Sequence, residues 1–497
     1  MVCTNANLIL MLILAPLPFS LAVLLLRRSE ILKEPLTIIG SFIPLAISVP
    51  ILQRVMDEGY ISAFGNELLI DHLSAIFLLG ISFVGFFASI FAHRYMRQHP
   101  LIARVGVEIA ERRLGIFYSL FLFFLSTMLW SVSTNNIIIL WVAIEATTIA
   151  SALLVSFYWD RRALEAGYKY LLLLTVGVTF SLFGAVIIYA ASAPYIAHGS
   201  PLLFTNIKEV ISKIPASIIL LSAVLFTVGF GTKAGLAPFH PWLPDAHAEA
   251  PTPISVLLSG IMVEVGLYAL LRTLGLFLPA YPAVASTLLV LAVFSMLLGA
   301  LLAMVQSDLK RLLAYSSVSQ IGYIAMGLGV GTYLGYYGAF YQLISHILAK
   351  SLLFMCVGAI IYSLALRNIE ELGGVGKHMP ITMACFFIGA FSLSGIPPLA
   401  GFLSKLTLII ATAQVHLWWL LILTLLTSLL TLFYAVRAAY TVFWGEEKSE
   451  VIKEAKEAPM SILFPILVFS ILTFVLGVYP QILYPLLNSA SLLAPFK

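Results

Sequence analysis

The chain contains 497 residues, of which 61% are hydrophobic and 10% are charged, with a mean hydropathy of +1.04. Soluble domains carry about 25% charged residues, so the composition excludes a soluble protein and predicts a polytopic membrane protein. The net charge of +4 is better interpreted through topology than as a nucleic-acid signal. The three cysteines, Cys3, Cys356 and Cys385, form no CxxC pattern, which argues against an iron–sulfur or zinc site and a disulfide framework.

About fourteen apolar stretches satisfy the roughly 20-residue criterion for a membrane span. The first lacks the basic n-region of a signal peptide, so we expect it to remain as a helix. The eleventh and twelfth are longer than one span requires and contain polar or Pro and Gly interruptions. In chain order the stretches are 5–26, 35–53, 68–92, 114–132, 136–157, 168–192, 216–239, 252–273, 281–304, 312–330, 335–365, 381–412, 416–443 and 459–480.

The basic residues predict the orientation of these spans. Between alternate loops the lysines and arginines divide 18 to 5, and the remaining four lie inside predicted spans. Because loops rich in Lys and Arg stay in the cytoplasm, we expect both termini on the outer side of the plasma membrane. The most basic loop, 93–113, is expected to be solvated, with contact to anionic lipid or a partner as the alternatives.

Two acidic residues stand out in the first third of the chain. Asp71 lies at the outer end of the third span, where a helix cap and a functional acid are both open interpretations. Glu145 is the one charged residue of the fifth span, and a carboxylate at that depth must be protonated, paired or hydrated. Glu165 and Lys169 follow in the order that favours a helical ion pair, for which a structural role is expected.

The stretch 229–252, GFGTKAGLAPFHPWLPDAHAEAPT, ends a long apolar run and places Lys233 before Pro238. A lysine at a helix centre costs about 3 kcal/mol even on lenient insertion scales. The prolines that follow cannot continue a regular helix, and a helix broken at membrane depth must face protein or a water-filled cavity. A buried lysine beside a broken helix is typical of ion-translocating proteins.

The same stretch contains His240, Asp245, His247 and Glu249. Their spacing matches no standard zinc motif, so a metal site is only a minor alternative. The next span carries Glu264 without an obvious local partner, with Gly260 and Tyr268 on its face.

The second half of the chain repeats this theme. Gln342, His346 and Lys350 recur every four residues and form one polar stripe on an apolar helix. The twelfth span is broken at Gly395 to Gly401 and carries Lys405. We interpret the opposite order of lysine and break in the two broken helices as a sign of an inverted repeat.

This pattern predicts a division of the chain into four parts. They are three N-terminal helices in 1–112, a first inverted repeat of helices 4–8 in 113–274, a second of helices 9–13 in 281–444, and a C-terminal helix in 445–497.

Six ionisable residues are therefore expected inside the membrane. Burial weakens proton binding by a lysine and a nearby carboxylate strengthens it, so a Glu–Lys pair can store a proton and release it. We predict that these residues translocate protons, since six together are difficult to explain as packing. They are Glu145, Lys233, Glu264, His346, Lys350 and Lys405.

Enzymatic alternatives have little support in the sequence. It contains no nucleophile elbow, phosphate loop or dinucleotide fingerprint. A haem would need paired histidines deep in the bundle. Most of the nine histidines lie near segment ends, and His346 is the exception. No cofactor is expected in this chain.

Several long motifs carry a family resemblance over about residues 65–445. The sequence resembles the antiporter-like subunits of respiratory complex I, most closely those of group 4 membrane-bound [NiFe]-hydrogenases of the formate-hydrogenlyase type, and next the large subunits of Mrp-type Na+/H+ antiporters. The motifs are IDHLSAIFLLGISFVGFFAS, ALEAGYKYLLLLTVGVTFSLFG, GFGTKAGLAPFHPWLPDAHAEAPTPISVLLSG, QSDLKRLLAYSSVSQIGYIAMGLG, SHILAKSLLFMCVGAI and SLSGIPPLAGFLSKLTLI.

The resemblance implies an all-α fold of about 14 transmembrane helices with two inverted five-helix repeats, each containing a broken helix. It also implies a proton route along the membrane midplane. Glu145 corresponds to the glutamate that pairs with the broken-helix lysine, Lys233. Lys350, preceded by His346, corresponds to the central lysine of the second half, and Lys405 to the terminal group that exchanges protons with the outer side.

Two positions depart from the family pattern. Glu264 stands where many members have a lysine that links the two halves, so the sign of that step is reversed. Gln320 stands where many members have a histidine, so hydrogen bonding rather than titration is expected there. The long lateral helix of the most distal complex I subunit is not found after the last span, which argues against that subunit.

We therefore expect an H+-translocating, possibly Na+-translocating, subunit that performs no redox chemistry itself. Its partners would be other membrane subunits and a peripheral redox arm with a hydrogenase-like large subunit and iron–sulfur proteins. One alternative is a subunit of an Mrp-type Na+/H+ antiporter without redox chemistry. Another is a membrane scaffold or quinone-site subunit that does not pump.

Overall fold

The computed structural model describes residues 2–98, 106–278 and 281–492. Within these residues, 12 helices are long and apolar enough to cross a membrane. A further helix, Leu309–Val330, and a pair of shorter helices, Pro380–Ser394 and Ala400–Gln414, occupy the two remaining predicted spans. The all-α polytopic fold is thus confirmed, while the four-part division of the chain stays a prediction.

The helices up to the middle of the chain contribute to one apolar core that extends through the whole molecule. They are α1 (Val2–Leu14), α2 (Pro16–Leu25), α3 (Lys33–Glu58), α4 (His72–Gln98), α5 (Val107–Ser131), α6 (Ile137–Val155), α7 (Arg161–Ser192), α8 (Phe204–Val210), α9 (Ala216–Ala234), α10 (Trp242–Glu249), α11 (Thr252–Leu257) and α12 (Val263–Leu274).

The helices of the second part contribute to the same core. They are α13 (Pro282–Met304), α14 (Leu309–Val330), α15 (Tyr333–Leu364), α16 (Pro380–Ser394), α17 (Ala400–Gln414), α18 (Trp418–Phe443), α19 (Glu450–Lys453), α20 (Met460–Val478) and α21 (Tyr484–Leu492).

A short hairpin precedes α4, where the sequence predicted the beginning of a span at residue 68. Strands β1 (Tyr60–Ala63) and β2 (Leu68–Asp71) pair antiparallel, with Tyr60 opposite Asp71. Gly65 lies at the turn with a φ of +63°, a conformation that glycine adopts at little cost. The apolar residues of β2 alternate in burial, which is the strand period rather than the helical one.

The two broken helices are built in the same way. α9 ends at Gly235 and α16 ends at Gly395, both with a left-handed φ. In each case the amide of the following residue donates to a carbonyl five positions back, Leu236 to Gly231 and Ile396 to Phe391, which is the Schellman closure of a helix end. A cis peptide bond before Pro238 or Pro398 then leads into the next short helix.

This shared construction corrects one step of the sequence argument. A rotation about an axis in the membrane plane preserves chain order, so related breaks must both read helix, glycine, proline, helix, as observed. The opposite order of lysine and break therefore does not indicate the inverted repeat. The opposite order describes only where the two lysines lie: Lys233 precedes its break, and Lys405 follows the other break.

The most deeply placed span is formed by α11 and α12, which are separated by a π-helical turn at Leu258–Met262. The most apolar window of this span is entirely buried. At its centre Gly266 packs against the end of α9, since an added Cβ would lie 2.6 Å from the amide nitrogen of Ala234. π-helical turns are rare and often occur at functional sites, and this one directly precedes Glu264.

Candidate ion-translocation route

Lys233 is completely buried in the last turn of α9. Its ammonium donates to the Thr148 hydroxyl at 2.9 Å and lies 5.8 Å from the ring centre of Tyr170. A hydroxyl and an aromatic face offset only part of the cost of burying the charge. The ammonium is therefore held by neutral groups in this conformation.

Glu145 lies one helical turn before Thr148 on α6. One carboxylate oxygen accepts a hydrogen bond from the Thr175 hydroxyl at 2.8 Å, while the other is buried without a protein hydrogen bond among the described residues. Glu145 acts electrostatically on Lys233, but no direct ion pair joins them. Lys233 thus contacts α6 at Thr148, three residues after Glu145, and the direct Glu145–Lys233 pair stays a prediction.

Glu264 and His346 form the most deeply buried contact between ionisable groups. Glu264 Oε1 lies 2.5 Å from His346 Nδ1, and both side chains are wholly buried. The sequence analysis found no partner for Glu264, because the two residues are 82 positions apart and lie on different helices, α12 and α15. Such a pair can share or exchange one proton, since a histidine changes charge near neutral pH.

Lys350 lies one turn beyond His346 on α15. Its ammonium donates to the main-chain carbonyl of Leu313 at 2.7 Å and to the Ser316 hydroxyl. Both partners belong to α14. The polar stripe predicted on α15 is therefore present, and its members contact α14, α12 and α17.

Gln342, the first member of the stripe, connects α15 to both neighbouring helices. Its amide nitrogen donates to Gln320 Oε1 at 2.9 Å, and its amide oxygen accepts from the Ser404 hydroxyl at 2.6 Å. The expectation that Gln320 forms hydrogen bonds is confirmed. Ser404 immediately precedes Lys405, so these amides lead from the region of Lys350 towards Lys405.

Lys405 is buried in α17, just after the second break. Its ammonium donates to the carbonyl of Leu393 at 2.8 Å and lies 4.4 Å from the ring centre of Tyr323. The Tyr323 hydroxyl in turn contacts Thr427 at 2.6 Å and Ser428 at 3.0 Å on α18. Polar groups therefore continue past Lys405 to α18.

Two further buried ionisable residues of this region, His247 and Lys310, were not assigned to the route from the sequence. His247 on α10 is fully buried, with Nδ1 2.7 Å from the Leu243 carbonyl and no partner for Nε2 among the described residues. It lies within electrostatic range of Lys310, His346 and Lys350. Lys310 donates to the carbonyl of Ala250 at 2.6 Å. The prolines around His247 directed attention to a loop, whereas residues 242–249 form a helix that points back into the bundle.

A charged cleft of about 760 Å³ is lined by Asp245 and Asp308, which precede His247 and Lys310 by two positions each. Ion pairs line it: Arg311 with Asp245 at 2.9 Å, and Arg367 with Asp308 at 2.8 Å. Arg367 also holds Glu249 at 2.7 Å and the Ala248 carbonyl at 2.8 Å. Three of the residues considered for a metal site are thus engaged elsewhere: Asp245 and Glu249 in ion pairs, and His247 in the interior.

The predicted helical ion pair lies at the rim of the same cleft. Glu165 and Lys169 are 2.6 Å apart, and Lys169 also reaches Asp245 at 3.5 Å. Both side chains of this pair are about half exposed. The pair is therefore confirmed as a surface contact, of the kind that contributes little to stability.

Comparison with known proteins places this arrangement in a family. Residues 134–431 match the family model described as NADH:quinone oxidoreductase/Mrp antiporter, transmembrane. Residues 63–104 match the model for the N-terminus of complex I chain 5. The first match covers more than half of the chain and includes all six predicted site residues.

Individual relatives extend the similarity to nearly the whole chain. NADH-quinone oxidoreductase subunit N of Desulforudis audaxviator is 31% identical over 96% of this chain and 97% of its own. A hydrogenase-4 component F homolog of Methylacidiphilum infernorum is 33% identical over 69% and 71%. A chain of the archaeal membrane-bound sulfane sulfur reductase superposes with a TM-score of 0.87 and 28% identity, over 98% and 97%.

Relatives from different complexes thus match at similar identity, so the branch within the family is not distinguished. The same family is indicated by the ionisable residues inside the bundle, by the two broken helices and by the family match. The chain belongs to the proton-translocating, antiporter-like membrane subunits shared by NADH:quinone oxidoreductases, membrane-bound hydrogenases and Mrp antiporters.

Proposed function

We propose that this chain moves protons along the residues from Glu145 to Lys405, driven by a peripheral redox arm to which it is coupled. The observation that carries the proposal is the wholly buried Glu264–His346 contact. It lies between the two broken helices, on the span that packs against the end of α9. The acid and the imidazole lie 2.5 Å apart, and their outer atoms, Glu264 Oε2 and His346 Nε2, have no protein partner among the described residues. A proton that crosses this contact converts two neutral groups into an adjacent pair of opposite charges, or the reverse.

Glu145 and Lys233 act as the switch in this proposal. In the present conformation the ammonium is on Thr148 and one Glu145 oxygen lacks a hydrogen bond. A small rearrangement that joins the two charges would strengthen proton binding by the lysine, and their separation would weaken it. Altered electrostatics in the redox arm would drive that change.

The charged cleft supplies the proton entrance. Its walls carry Asp245, Glu249 and Asp308, and α10 extends from it to the buried His247. The cleft lies among the basic loops, which the distribution of Lys and Arg assigns to the cytoplasm. Both termini would then lie outside, with the chain in the plasma membrane.

A gentle purification from native membranes tests the parent complex. Mass spectrometry of the co-purifying chains should find a hydrogenase-like or other redox large subunit and iron–sulfur proteins. If only small hydrophobic membrane companions co-purify, the redox-driven proposal fails. The second candidate, an Mrp-type antiporter subunit, is favoured by the family model, whose description includes those antiporters, and sodium flux would be assayed next.

A further inference from the structure

Three buried lysines direct their ammonium groups at main-chain carbonyls rather than at carboxylates. Lys405 donates to Leu393, Lys350 to Leu313 and Lys310 to Ala250, at 2.8, 2.7 and 2.6 Å. Carbonyl oxygens are also the groups that coordinate alkali cations in membrane proteins. The ammonium groups therefore occupy positions that suit a bound cation.

The site of Lys405 shows this most clearly. Leu393 is in the last turn of α16, where carbonyls lack helical partners and the helix dipole is negative. The residue before Lys405 contributes to a second group of oxygens: the Ser404 hydroxyl is 3.0 Å from the Gly401 carbonyl and 2.6 Å from the Gln342 amide oxygen. In transporters with broken helices such half-helix ends and unwound carbonyls coordinate Na+.

The other broken helix has its corresponding end closed as well. The carbonyl of Thr232, in the last turn of α9, accepts a hydrogen bond from the indole nitrogen of Trp242 at 2.8 Å. A neutral donor thus occupies that helix end, and a tethered cation occupies the end at Leu393. Among residues 2–98, 106–278 and 281–492, no group of three or more His, Cys, Asp or Glu side chains is placed to hold a metal ion.

We propose that Lys405 is a specificity-determining residue that excludes alkali cations from the route by filling the carbonyl site at the end of α16 with its own ammonium. The proposal rests on the proposed function. A proton can leave the ammonium and return to the amine, while the side chain stays tethered at the site. Na+ or K+ would have to displace a group of equal charge that is covalently attached.

Removal of the ammonium should therefore create a site for an alkali cation. In the purified complex with Lys405→Ala, we expect the thermal midpoint to be higher in NaCl or KCl than in choline chloride at equal ionic strength. The difference should increase with the logarithm of the cation concentration, as for a ligand that binds the folded state. Lys405→Ser serves as a second variant, and Lys453→Ala, which removes an exposed lysine, is the control.

The wild-type complex and the control should have the same midpoint in the three salts. A variant that does not distinguish alkali cations from choline would overturn the proposal, and so would a wild type that responds as strongly as the variants. A purely structural role of Lys405 predicts lower stability in all salts equally, so cation selectivity separates the two roles.

Flux measurements distinguish failure of this inference from failure of the proposed function. In vesicles containing the wild-type complex and supplied with its electron donor, we expect proton uptake and only background uptake of radioactive sodium. Sodium transport by the wild type would overturn the exclusion while the translocating function remained. Absence of both fluxes would instead remove the proposed function.

Discussion

The buried lysines of this chain differ in the group that faces each ammonium. Lys33 pairs with the Glu111 carboxylate near one membrane surface, whereas Lys233 faces the Thr148 hydroxyl and Lys405 faces a carbonyl. At a given depth of burial, a carboxylate partner strengthens proton binding by a lysine more than neutral partners do. The lysines of the route belong to the second kind, which suits a proton carrier.

Replacement of Lys233 by alanine should abolish coupled ion transport, so that its rate falls at least tenfold. The complex should still assemble. The reason is that Glu145 then has no ammonium with which to form the switch. Proton uptake by vesicles measures the effect, and subunit composition after purification serves as the assembly control. Thr148→Val should reduce transport less, because it removes one hydrogen bond and leaves the charge. Wild-type pumping in Lys233→Ala would exclude the switch.

Glu145 is tested by a matched pair of substitutions. Glu145→Gln keeps the size and the hydrogen bond from Thr175 but removes the charge, so transport should fall as severely as in Lys233→Ala. Glu145→Asp keeps the charge on a shorter side chain and should be milder. If the glutamine variant transports normally, Glu145 is only a structural contact to Thr175.

Glu264 is the acid that stands where the family resemblance leads us to expect a lysine. Glu264→Lys places an ammonium against His346, at a position where the acid now lies at 2.5 Å. We expect transport to be lost, since the introduced ammonium disfavours a positive charge on the neighbouring His346 imidazole. Proton uptake by vesicles with this variant, compared with Glu264→Gln, measures the effect. Transport by Glu264→Lys at or above the wild-type rate would show instead that a lysine can serve the route at this position.

At the scale of the secondary-structure elements, the two breaks depend on close approach of the half-helices. Gly401, at the beginning of α17, lies directly against the carbonyl of Ser392 in α16, which an added Cβ would overlap. Its amide also donates to the Ser392 hydroxyl at 3.3 Å. This contact holds α17 where Lys405 can reach Leu393.

Gly401→Ala should therefore destabilise the second break. Because the obstructing atoms belong to the main chain, the two half-helices must separate, at a cost of about 1–3 kcal/mol for an overpacked site. The thermal midpoint of the purified complex and its proton uptake should both decrease. Gly106→Ala is the control, since no atom of the described residues lies within 4 Å of the added Cβ; equal behaviour of the two variants would contradict the role of the contact.

At the scale of the whole molecule, hydrophobic length predicted the spans well, because each span needs about 20 apolar residues whatever it contacts. The six ionisable residues were also identifiable, since a charge in an apolar run is conspicuous in the sequence, although Glu145 is only partly buried and the other five are buried. Partners were not identifiable. The pairing of Glu264 with His346, the burial of His247 and the contact of Lys233 with Thr148 depend on how distant helices pack, and one-dimensional patterns do not contain that information.

One contact joins distant parts of the chain at the end of the molecule opposite the charged cleft. Arg272, in the last turn of α12, pairs with Asp71 and donates to the Ser74 hydroxyl and the Tyr268 hydroxyl, each at 2.9 Å. Asp71 also caps α4 by accepting from the Ser74 amide at 2.9 Å. The interfacial cap considered for Asp71 is therefore confirmed, and Asp71 additionally anchors the span that carries Glu264.

The pKa of Asp71 gives this anchor a pH dependence. Burial alone would raise the pKa, but the Arg272 guanidinium and the Ser74 amide outweigh it and hold the pKa below its usual range. A carboxyl whose pKa is lower in the folded state stabilises the fold above its unfolded pKa of about 3.9, and this contribution is lost as the pH falls through the folded pKa. The anchor is therefore complete at neutral pH.

Asp71→Asn should lower the thermal midpoint of the purified complex at pH 7, because Arg272 keeps its charge without a counterion. The carboxylate is 26% exposed, so the loss should be about 1–3 kcal/mol, less than for a wholly buried pair. The deficit should shrink on acidification towards the pKa of Asp71. Glu450→Gln, in an exposed pair with Lys453, should leave the midpoint unchanged; an equal loss there, or a deficit independent of pH, would contradict the anchor.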